Sequence, residues 1–510
     1  MPAADQFLRA VDAYRRWLFV AAALLLLASF SPHWRITPDS AVFMGIARNL
    51  ASGRGFTFSE EAVTSVNAGF PYLLLATRSL ASDPVVAGNV LMLATGFASL
   101  VLVYLLMLRH AGRPLAVLVV VLTAINGTFL RHSCEILADI PFFFCCTLAL
   151  LGYELSFSRR AVHEPGATIA PEIPQARVRR LALASLLVLL GLAGMASLRI
   201  VFLGPLAAIL LDLLWRVRRS RFKWAVISAA IGVLFVALAI RLADPRMANG
   251  FTLLAKERDL LERLRNFPET ASRIASFNAP QLFTDVTSRA IFGNKLGLWP
   301  LDVLVSLAVL AAGAILIRRR FAWVALIAIY FVQWLLIFPD SRYFLPVLPL
   351  LMLGWWDLSL LFASRMSLKW QRPVLTGLIA ILVLPNLVRS SGFVIEQHQQ
   401  PFLARYLRGR FQDLPQFARD AAAVLPADAV VITSPQFAAP FHYFSGFRTI
   451  PTIGATLLTP LPKARPVFAL FPEDEDFDAA IKALKLARST TLLIGPDRGP
   501  QKSLVIMQLK

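Results

Sequence analysis

Long apolar stretches alternate with short polar ones along most of this chain, from residue 16 to about residue 390. A hydrocarbon core about 30 Å thick is crossed by a helix of about 20 apolar residues, so each stretch predicts a membrane-spanning helix. The pattern predicts about eleven spans, near residues 16–31, 84–108, 115–131, 140–157, 181–197, 201–215, 224–241, 300–317, 321–338, 344–362 and 373–390.

Composition agrees with a membrane protein. Of the 510 residues, 57% are hydrophobic and only 16% are charged, whereas soluble globular proteins are about 45–50% apolar and about 25% charged. The segment from Trp17 to Phe30 is not followed by a small-residue cleavage site, so we interpret it as the first span. The three cysteines lie in or beside apolar sequence, which predicts neither a disulfide framework nor a metal site.

The net charge of +20 does not indicate nucleic-acid binding, because the basic residues form short clusters between apolar segments. The clusters occupy every second loop, beginning with the N-terminus. Basic loops face the cytoplasm, so the clusters orient the predicted spans. Excess positive charge can also hold anionic membrane lipids. The clusters are Arg15–Arg16, Arg109 with Arg113, Arg159–Arg160 with Arg177, Arg179 and Arg180, the run Arg216–Lys223, Arg318–Arg320, and Arg365–Arg372.

The intervening segments then face the other side of the membrane. They are residues 32–83, about 132–139, 198–200, 242–299, 339–343 and everything after about 391. We predict a membrane domain over 1–392, with large outer loops 32–83 and 242–299, followed by a small extracytoplasmic α/β domain over 393–510. Short β-branched runs at Val430–Thr433 and Thr491–Ile494 predict strands, and Phe477–Ala487 has helical spacing, as does the charged stretch Lys256–Arg265.

Ionisable side chains are costly at membrane depth, so their positions indicate function. Several distant parts of the chain deliver such side chains to the predicted outer face. They are Asp39 in the first outer loop, Glu135 and Asp139 in the second, Arg199 in the third, and Asp340 and Arg342 in the fifth.

This set of side chains suits group transfer at the membrane surface. A carboxylate at the water boundary can accept a proton from a hydroxyl group as a general base. Arginines can bind a lipid-linked phosphate bidentately and stabilise the charge that develops on it. Glu135 and Asp139 are four residues apart, which places both on one face if the stretch is helical. Two close carboxylates can orient an acceptor or bind a divalent cation.

Each residue also has an ordinary structural explanation. Asp39 stands at the start of a predicted helix and can act as an N-cap. Acidic residues near the start of a span are favoured by the helix dipole, and arginines near its end can extend to lipid headgroups. Asp340 can simply pair with Arg342 across a turn. His33 and His132 are interpreted as interfacial polar groups rather than catalysts.

The order of these features resembles the GT-C superfamily of membrane glycosyltransferases, in particular its protein O-mannosyltransferase and aminoarabinose-transferase-like branch. The resemblance spans nearly the whole chain, although each motif alone is degenerate. The matching segments are Pro38–Ala41 and Ala47–Phe56, Asn67–Leu73, Glu135–Pro141, Arg342–Leu350 and Leu425–Thr433.

The resemblance implies a polyprenyl-phosphate sugar as donor and transfer on the non-cytoplasmic face. It maps the general base to Asp39 and the second-loop acids to Glu135 and Asp139. It assigns the donor phosphate to Arg199 and Arg342, with a further hydroxyl from Tyr343. The acceptor is a lipid, a cell-wall glycan or a protein. It identifies no definite cofactor, and a divalent cation held by Asp39, Glu135 and Asp139 is left open.

The chain departs from the family pattern at two places. Many relatives have a second acid directly after the first aspartate, where this chain has Ser40. Many also have a basic residue before the second span, which the stretch Val66–Pro71 lacks. These departures indicate a specialised subfamily and leave the donor sugar open.

We therefore expect an α-helical polytopic protein of the bacterial inner membrane, with its active site and C-terminal domain on the periplasmic face. Two other functions stay open. A transporter or flippase for a lipid-linked saccharide would place charges at the bilayer midplane and often shows repeat symmetry, and no repeat is visible in this sequence. A membrane scaffold would not need carboxylates from several loops at one boundary.

Overall fold

A computed structural model of the chain gives the arrangement of most of these segments. It describes residues 2–58, 61–62, 66–157, 174–217, 266–336, 339–399, 414–433, 435–453, 456–457, 465–472, 488–493 and 504–509. The predicted span 224–241, the charged stretch Lys256–Arg265 and the predicted helix Phe477–Ala487 lie outside the described residues.

Helices dominate the described part of the chain. Those before residue 218 are α1 (Pro2–Ala13), α2 (Arg15–Ala28), α3 (Pro38–Ala51), α4 (Gly69–Thr77), α5 (Pro84–Ala111), α6 (Arg113–Ala124), α7 (Gly127–His132), α8 (Asp139–Leu155), α9 (Pro174–Leu198) and α10 (Leu203–Val217). Short 3-10 turns follow α4 at Arg78–Leu80 and α9 at Ile200–Phe202. A two-stranded hairpin, β1 (Thr57–Phe58) and β2 (Glu61–Ala62), follows α3.

The helices after residue 265 continue this architecture. They are α11 (Phe267–Arg273), α12 (Ala279–Gln281), α13 (Thr287–Phe292), α14 (Trp299–Ile315), α15 (Phe321–Leu336), α16 (Leu348–Ser364), α17 (Leu368–Gln399), α18 (Leu414–Val424) and α19 (Pro435–Ser445). Two π-helical turns, Ile274–Asn278 and Leu282–Val286, join α11, α12 and α13. Two 3-10 turns, Leu316–Arg318 and Ser341–Val347, precede α15 and α16.

Five helical segments among the described residues are long and apolar enough to cross a membrane. They are Pro84–Ala111, Gln175–Leu198, Trp299–Arg318, Ser341–Ser364 and Leu368–His398. Arg113–Ala124 and Phe321–Leu336 are shorter apolar helices. The chain is therefore a helical membrane protein, and the prediction of about eleven spans stays a prediction for the others. Helix α17 continues to Gln399, through the predicted domain boundary at residue 392.

Two arginines of one predicted basic cluster, Arg319 and Arg320, form ion pairs at one end of the bundle. Glu154, at the end of α8, is buried and lies 3.0 Å from Arg320 Nε and 3.3 Å from His110 Nε2. Arg319 donates to both carboxylate oxygens of Asp357, at 2.6 and 2.7 Å. Helix α8 has 17 residues and is therefore about 25 Å long, so Asp139 at its start lies at the opposite end from this ion-pair network.

Helix α3 begins with a capping box. Thr37 Oγ1 accepts from the backbone N–H of Ser40, and Ser40 Oγ accepts from the backbone N–H of Thr37. Pro38 occupies the first turn, where its missing N–H costs nothing. These contacts satisfy the free N–H groups at the helix start. The Asp39 carboxylate is consequently available for other contacts.

The C-terminal part contains a six-stranded sheet in the order β5-β4-β3-β6-β8-β7. Its strands are β3 (Val430–Thr433), β4 (Arg448–Ile453), β5 (Thr456–Leu457), β6 (Val467–Pro472), β7 (Arg488–Leu493) and β8 (Leu504–Leu509). Strand β3 pairs in parallel with β4 and β6, and the other pairs are antiparallel. The predicted strand Val430–Thr433 is confirmed, and the run at Thr491 forms the end of β7.

Helix α19 of this C-terminal part packs on α3. The Tyr443 ring meets the Trp34 ring edge-on, with centroids 4.7 Å apart. Arg48 donates to the Tyr443 carbonyl at 2.8 Å, and its guanidinium lies over the Tyr443 ring at 4.6 Å. Helix α3 is thus held from the C-terminal side as well as from the membrane bundle.

Candidate active site

The centre of the candidate site is Arg342, in the 3-10 turn before α16. Its Nη1 donates to Asp39 Oδ2 at 2.9 Å, and its Nε lies 3.3 Å from Asp340 Oδ2. Asp340 also accepts the backbone N–H of Arg342 at 3.1 Å. The pairing of Asp340 with Arg342 across the turn is confirmed, and the same guanidinium also reaches the first outer loop.

A second ion pair lies beside the first. Arg199, just after α9, has Nη1 2.7 Å from Asp139 Oδ1, and its Nη2 donates to Oδ2 at 3.2 Å. The Arg199 and Arg342 guanidinium carbons both lie 5.2 Å from the centre of the Tyr343 ring. Arg342 Nη2 donates to the Tyr343 hydroxyl at 3.4 Å. The Tyr343 ring therefore contacts both of the arginines predicted to bind phosphate.

Both arginines, Asp139 and Tyr343 line one small cavity between α8, α15 and the turn before α16. The lining residues are Asp139, Phe142, Arg199, Val201, Tyr330, Gln333, Trp334, Arg342, Tyr343 and Pro346. The side chain of Asp39 is at the edge of this group and is 51% exposed, whereas the Asp139 carboxylate is buried. The site thus has two arginine-bound acids, of which Asp39 is accessible to solvent and Asp139 is buried.

Glu135 takes a different position from Asp139. It is buried, lies 2.8 Å from His132 Nδ1, and accepts from Arg131 Nε at 3.2 Å. The stretch from 133 to 138 is not helical, and α8 begins only at Asp139. Glu135 and Asp139 therefore do not lie on one face of a common helix. Among the contacts of the described residues, Glu135 belongs with α7 and Asp139 with Arg199.

The three predicted carboxylates do not form a metal centre. Among the described residues, no group of three or more His, Cys, Asp or Glu side chains is arranged to hold a metal ion. Asp39 and Asp139 are each bound to an arginine, whose positive charge opposes a second cation at the same oxygens. These carboxylates therefore do not fit a divalent cation site.

The structure decides between several of the alternative explanations. Thr37, not Asp39, is the N-cap of α3, because the Thr37 side chain accepts from the backbone N–H of Ser40. The Asp39 carboxylate instead accepts from Arg342. Both arginines form ion pairs within the protein, so their extension to headgroups is not needed to account for them. His132 is buried within the protein and lies beside Glu135, and its position at the membrane interface stays a prediction.

Close helix packing positions Arg199. Gly69, at the start of α4, approaches Ser197 so closely that an added Cβ would lie 2.6 Å from the Ser197 carbonyl oxygen. Asn67 Nδ2 donates to the Ala196 carbonyl at 3.2 Å. The segment Asn67–Leu73, which carries part of the resemblance, thus packs against the end of α9. Its contact with Ser197 lies two residues before Arg199.

Residues of α15 complete the cavity and were not singled out from the sequence. Tyr330, Gln333 and Trp334 line it, and Trp334 stacks on Phe344 with centroids 3.8 Å apart. Gln333 is a polar residue inside the apolar run 321–338, and this interruption was the available signal. The packing of α19 on α3 had no comparable signal, because it joins two parts distant in sequence.

Comparison with solved structures shows the fold of the whole chain. ArnT from Cupriavidus metallidurans, solved with bound undecaprenyl phosphate, is similar with a TM-score of 0.56 and 13% identity, over 97% of this chain and 98% of that one. The same protein in the apo state gives a TM-score of 0.55. This chain therefore shares the fold of ArnT over nearly its full length.

Oligosaccharyltransferases from Archaeoglobus fulgidus share the fold. One, tethered to an acceptor peptide, has a TM-score of 0.52 and 12% identity, over 96% of this chain and 73% of that one. AglB, in complex with an inhibitory peptide and a dolichol phosphate, has a TM-score of 0.50 and 12% identity, over 86% of this chain and 64% of that one. No family model matches the sequence. No curated protein matches it in sequence either.

Proposed function

We propose that this chain is an inverting membrane glycosyltransferase that transfers a sugar from a polyprenyl-phosphate donor to an acceptor hydroxyl at the membrane surface. The observation that carries the proposal is the contact between Arg342 and Asp39. It joins a predicted phosphate-binding cation to a predicted general base, at the mouth of a cavity that also contains Arg199 and Tyr343. The GT-C fold, shared with a structure that holds undecaprenyl phosphate, supports it.

The donor phosphate would lie against Arg199 and Arg342. Both guanidinium groups contact Tyr343 and line the same cavity, so a phosphate bound there would accept hydrogen bonds from both arginines and from the tyrosine hydroxyl. Arginine suits this role because its planar group binds two phosphate oxygens at once. Asp139 would hold Arg199 in the required orientation through its two short contacts.

The transfer step conserves atoms and charge. The acceptor hydroxyl gives its proton to Asp39 while its oxygen attacks the anomeric carbon of the sugar. The bond between that carbon and the phosphate oxygen breaks, and its electron pair leaves with the polyprenyl phosphate. The two arginines stabilise the charge that grows on this leaving group, which is the largest effect expected in such a site. Attack opposite to the leaving group inverts the anomeric configuration.

Donor binding would also prepare the base. In the structure, Asp39 shares Arg342 with Asp340. A phosphate that binds Arg342 competes with both carboxylates for the same N–H groups. Asp39 would then be released to accept a proton, while Asp340 remains bonded to the Arg342 backbone. The acceptor would thus be activated only when a donor is present.

The site would face the periplasm of a bacterial inner membrane, with the C-terminal part on the same side. Helix α3 and the segment 64–80 would form one wall of the donor groove. The C-terminal part would cover the site or select the acceptor, because α19 packs directly on the helix that carries Asp39. The acceptor would be a lipid, a cell-wall glycan or a protein hydroxyl.

The test is a transfer assay on the purified protein with a panel of radiolabelled polyprenyl-phosphate sugars and membrane extract as acceptor. The wild type is compared with Asp39→Asn. The matched control is Asp83→Asn, an exposed carboxylate in the same loop that caps α5. An asparagine keeps that cap, so the control alters one charge without altering the fold.

The proposal predicts labelled product from one donor, lost in Asp39→Asn and kept in Asp83→Asn. Thermal unfolding in detergent checks that both variants fold. If every donor fails to give Asp39-dependent product while polyprenyl phosphate still binds, the transferase proposal is overturned and transport of a lipid-linked saccharide becomes the better explanation.

A further inference from the structure

A second cavity lies away from the candidate active site, where α13 and the segment after it meet α17. It has a volume of about 460 Å³, within the range of about 300–1,000 Å³ typical of ligand sites. Its walls are mainly apolar, with Phe292, Leu296, Leu384 and Val388 among the lining residues. Leu384 and Val388 are exposed, so the cavity opens on the outer surface of the helix bundle. We call it the α17 groove.

The floor of the α17 groove is rigid because buried amides connect its walls. Asn126 Nδ2 donates to the carbonyls of Ala290 and Ile291, at 3.0 and 2.9 Å. Asn386 Nδ2 also donates to the Ile291 carbonyl, at 2.8 Å, and Asn386 Oδ1 accepts from the backbone of Gly127. These contacts fix α7, α13 and α17 against one another, so the groove is a formed feature of the fold.

Two cations stand in the groove wall, Lys295 and Arg389. The stem of Arg389 lies across Gly127 and Gly293, where an added Cβ would come within 3.0 Å of Arg389 Cγ. The absence of a side chain at Gly127 and Gly293 therefore leaves space for the Arg389 side chain. Among the described residues, no carboxylate forms an ion pair with either cation.

The depth of the groove matches the membrane boundary. Arg389 follows Arg372 by 17 residues in α17, which is about 26 Å along the helix axis and close to the core thickness of about 30 Å. Trp299 begins α14 four residues after Lys295 and is 71% exposed, as expected for a tryptophan at the membrane–water interface. Farther along α17, Gln397 accepts from Arg35 at 2.8 Å. The groove therefore opens at the membrane face that carries the first outer loop.

We propose that the α17 groove binds an anionic glycerophospholipid, with an acyl chain along its apolar wall and the headgroup phosphate between Lys295 and Arg389. Charge complementarity selects this occupant. A zwitterionic lipid brings a cation of its own beside its phosphate and so leaves the positive charge of the groove uncompensated, and a soluble anion would leave the apolar wall uncovered. The proposal is independent of the transferase function, because none of the groove residues belongs to the candidate active site.

The experiment is native mass spectrometry of the full chain, delipidated in detergent and then titrated with phosphatidylglycerol or phosphatidylcholine of identical acyl chains. The variant is Lys295→Gln with Arg389→Gln. The matched control is Arg54→Gln with Arg273→Gln, which removes two exposed cations outside the groove. A third variant, Arg389→Lys, retains the charge at the site. Thermal unfolding without added lipid checks the fold of each.

The proposal predicts that the wild type retains one phosphatidylglycerol that phosphatidylcholine does not replace. The double groove variant should lose it, and Arg389→Lys and the control should keep it. Equal retention of the two lipids, or retention in the double groove variant, would overturn the proposal. A competition with undecaprenyl phosphate tests the other possible occupant, a prenyl lipid. Displacement of phosphatidylglycerol at equal concentration would assign the groove to a prenyl chain and overturn the proposal.

Discussion

The Trp34 ring contacts Tyr443 on one side and donates from its Nε1 to Ser40 Oγ on the other, at 3.2 Å. Ser40 belongs to the capping box at the start of α3, and Asp39 is its neighbour. A contact made by the C-terminal part is therefore transmitted, through one indole, to the residue beside the proposed base. This relationship gives the C-terminal part a direct structural role at the candidate site.

Removal of the Tyr443 ring should lower both the stability of the protein and the activity of the candidate site. We expect Tyr443→Ala to lower stability by about 1–3 kcal/mol and to reduce kcat, because small displacements of a catalytic group are costly, up to about 10²-fold for 1 Å. Tyr443→Phe should be close to wild type, since the ring contact is kept. Unfolding in detergent and the transfer assay measure the two effects. Val424→Ala, at an exposed position of α18, is the control. A fully active Tyr443→Ala protein would contradict the proposed link.

The two acidic residues of the second outer loop should behave differently. Asp139→Asn removes the charge that holds Arg199, so we expect donor KM to rise by about 10–100-fold, as for the loss of a hydrogen bond to a charged group. Glu135→Gln removes the carboxylate that contacts Arg131 and His132. This change should lower the unfolding temperature and leave the donor KM unchanged. Donor titrations on both variants test this. The reverse pattern would place Glu135, and not Asp139, at the donor.

A methyl group at Gly69 should disturb Arg199 through the backbone. Its Cβ would lie 2.6 Å from the Ser197 carbonyl oxygen, which forces α4 away from α9. We expect Gly69→Ala to lower both the unfolding temperature and the transfer rate. Gly377→Ala is the control, because an added Cβ there meets nothing within 4 Å. That variant should be neutral or stabilised by up to about 1 kcal/mol, the helix propensity difference. Equal behaviour of the two variants would argue against close packing at Gly69.

The buried carboxylate at the far end of α8 should matter for stability and not for chemistry. Glu154→Gln leaves Arg320 and His110 without a charged partner, and breaking a buried ion pair costs about 3–5 kcal/mol. Arg320 is partly exposed, so we expect the lower end of that range.

Asp12→Asn is the contrast, because the Asp12–Arg113 pair is at the surface. It should leave the unfolding temperature unchanged.

The test is unfolding in detergent combined with activity per folded molecule. The stability difference between these two variants should be clear, and both should transfer sugar at the wild-type rate. A Glu154→Gln protein that is stable but inactive would indicate that this end of the bundle takes part in function.

Much of the architecture could be predicted because it depends on local properties. The apolar runs at 84–108 and 300–317 mark helices wherever they pack, since the cost of exposing polar backbone in lipid applies to each segment separately. The strand at Val430–Thr433 followed from its β-branched run in the same way. Asp39, Arg199 and Arg342 could be assigned to one membrane face because the basic clusters of the alternate loops orient the predicted spans.

Hydrophobicity and charge along the chain therefore determined that this is a helical membrane protein with acids and arginines gathered on one face. Only the tertiary structure decided which charges meet. Asp39 and Arg342 are separated by 303 positions in sequence, and their contact depends on how α3 and α16 pack. The same packing joins Asp139 to Arg199 and leaves Glu135 with α7. Pairing of this kind is a property of the packed helices, because side chains that share a membrane face are not fixed as neighbours until the helices are in contact.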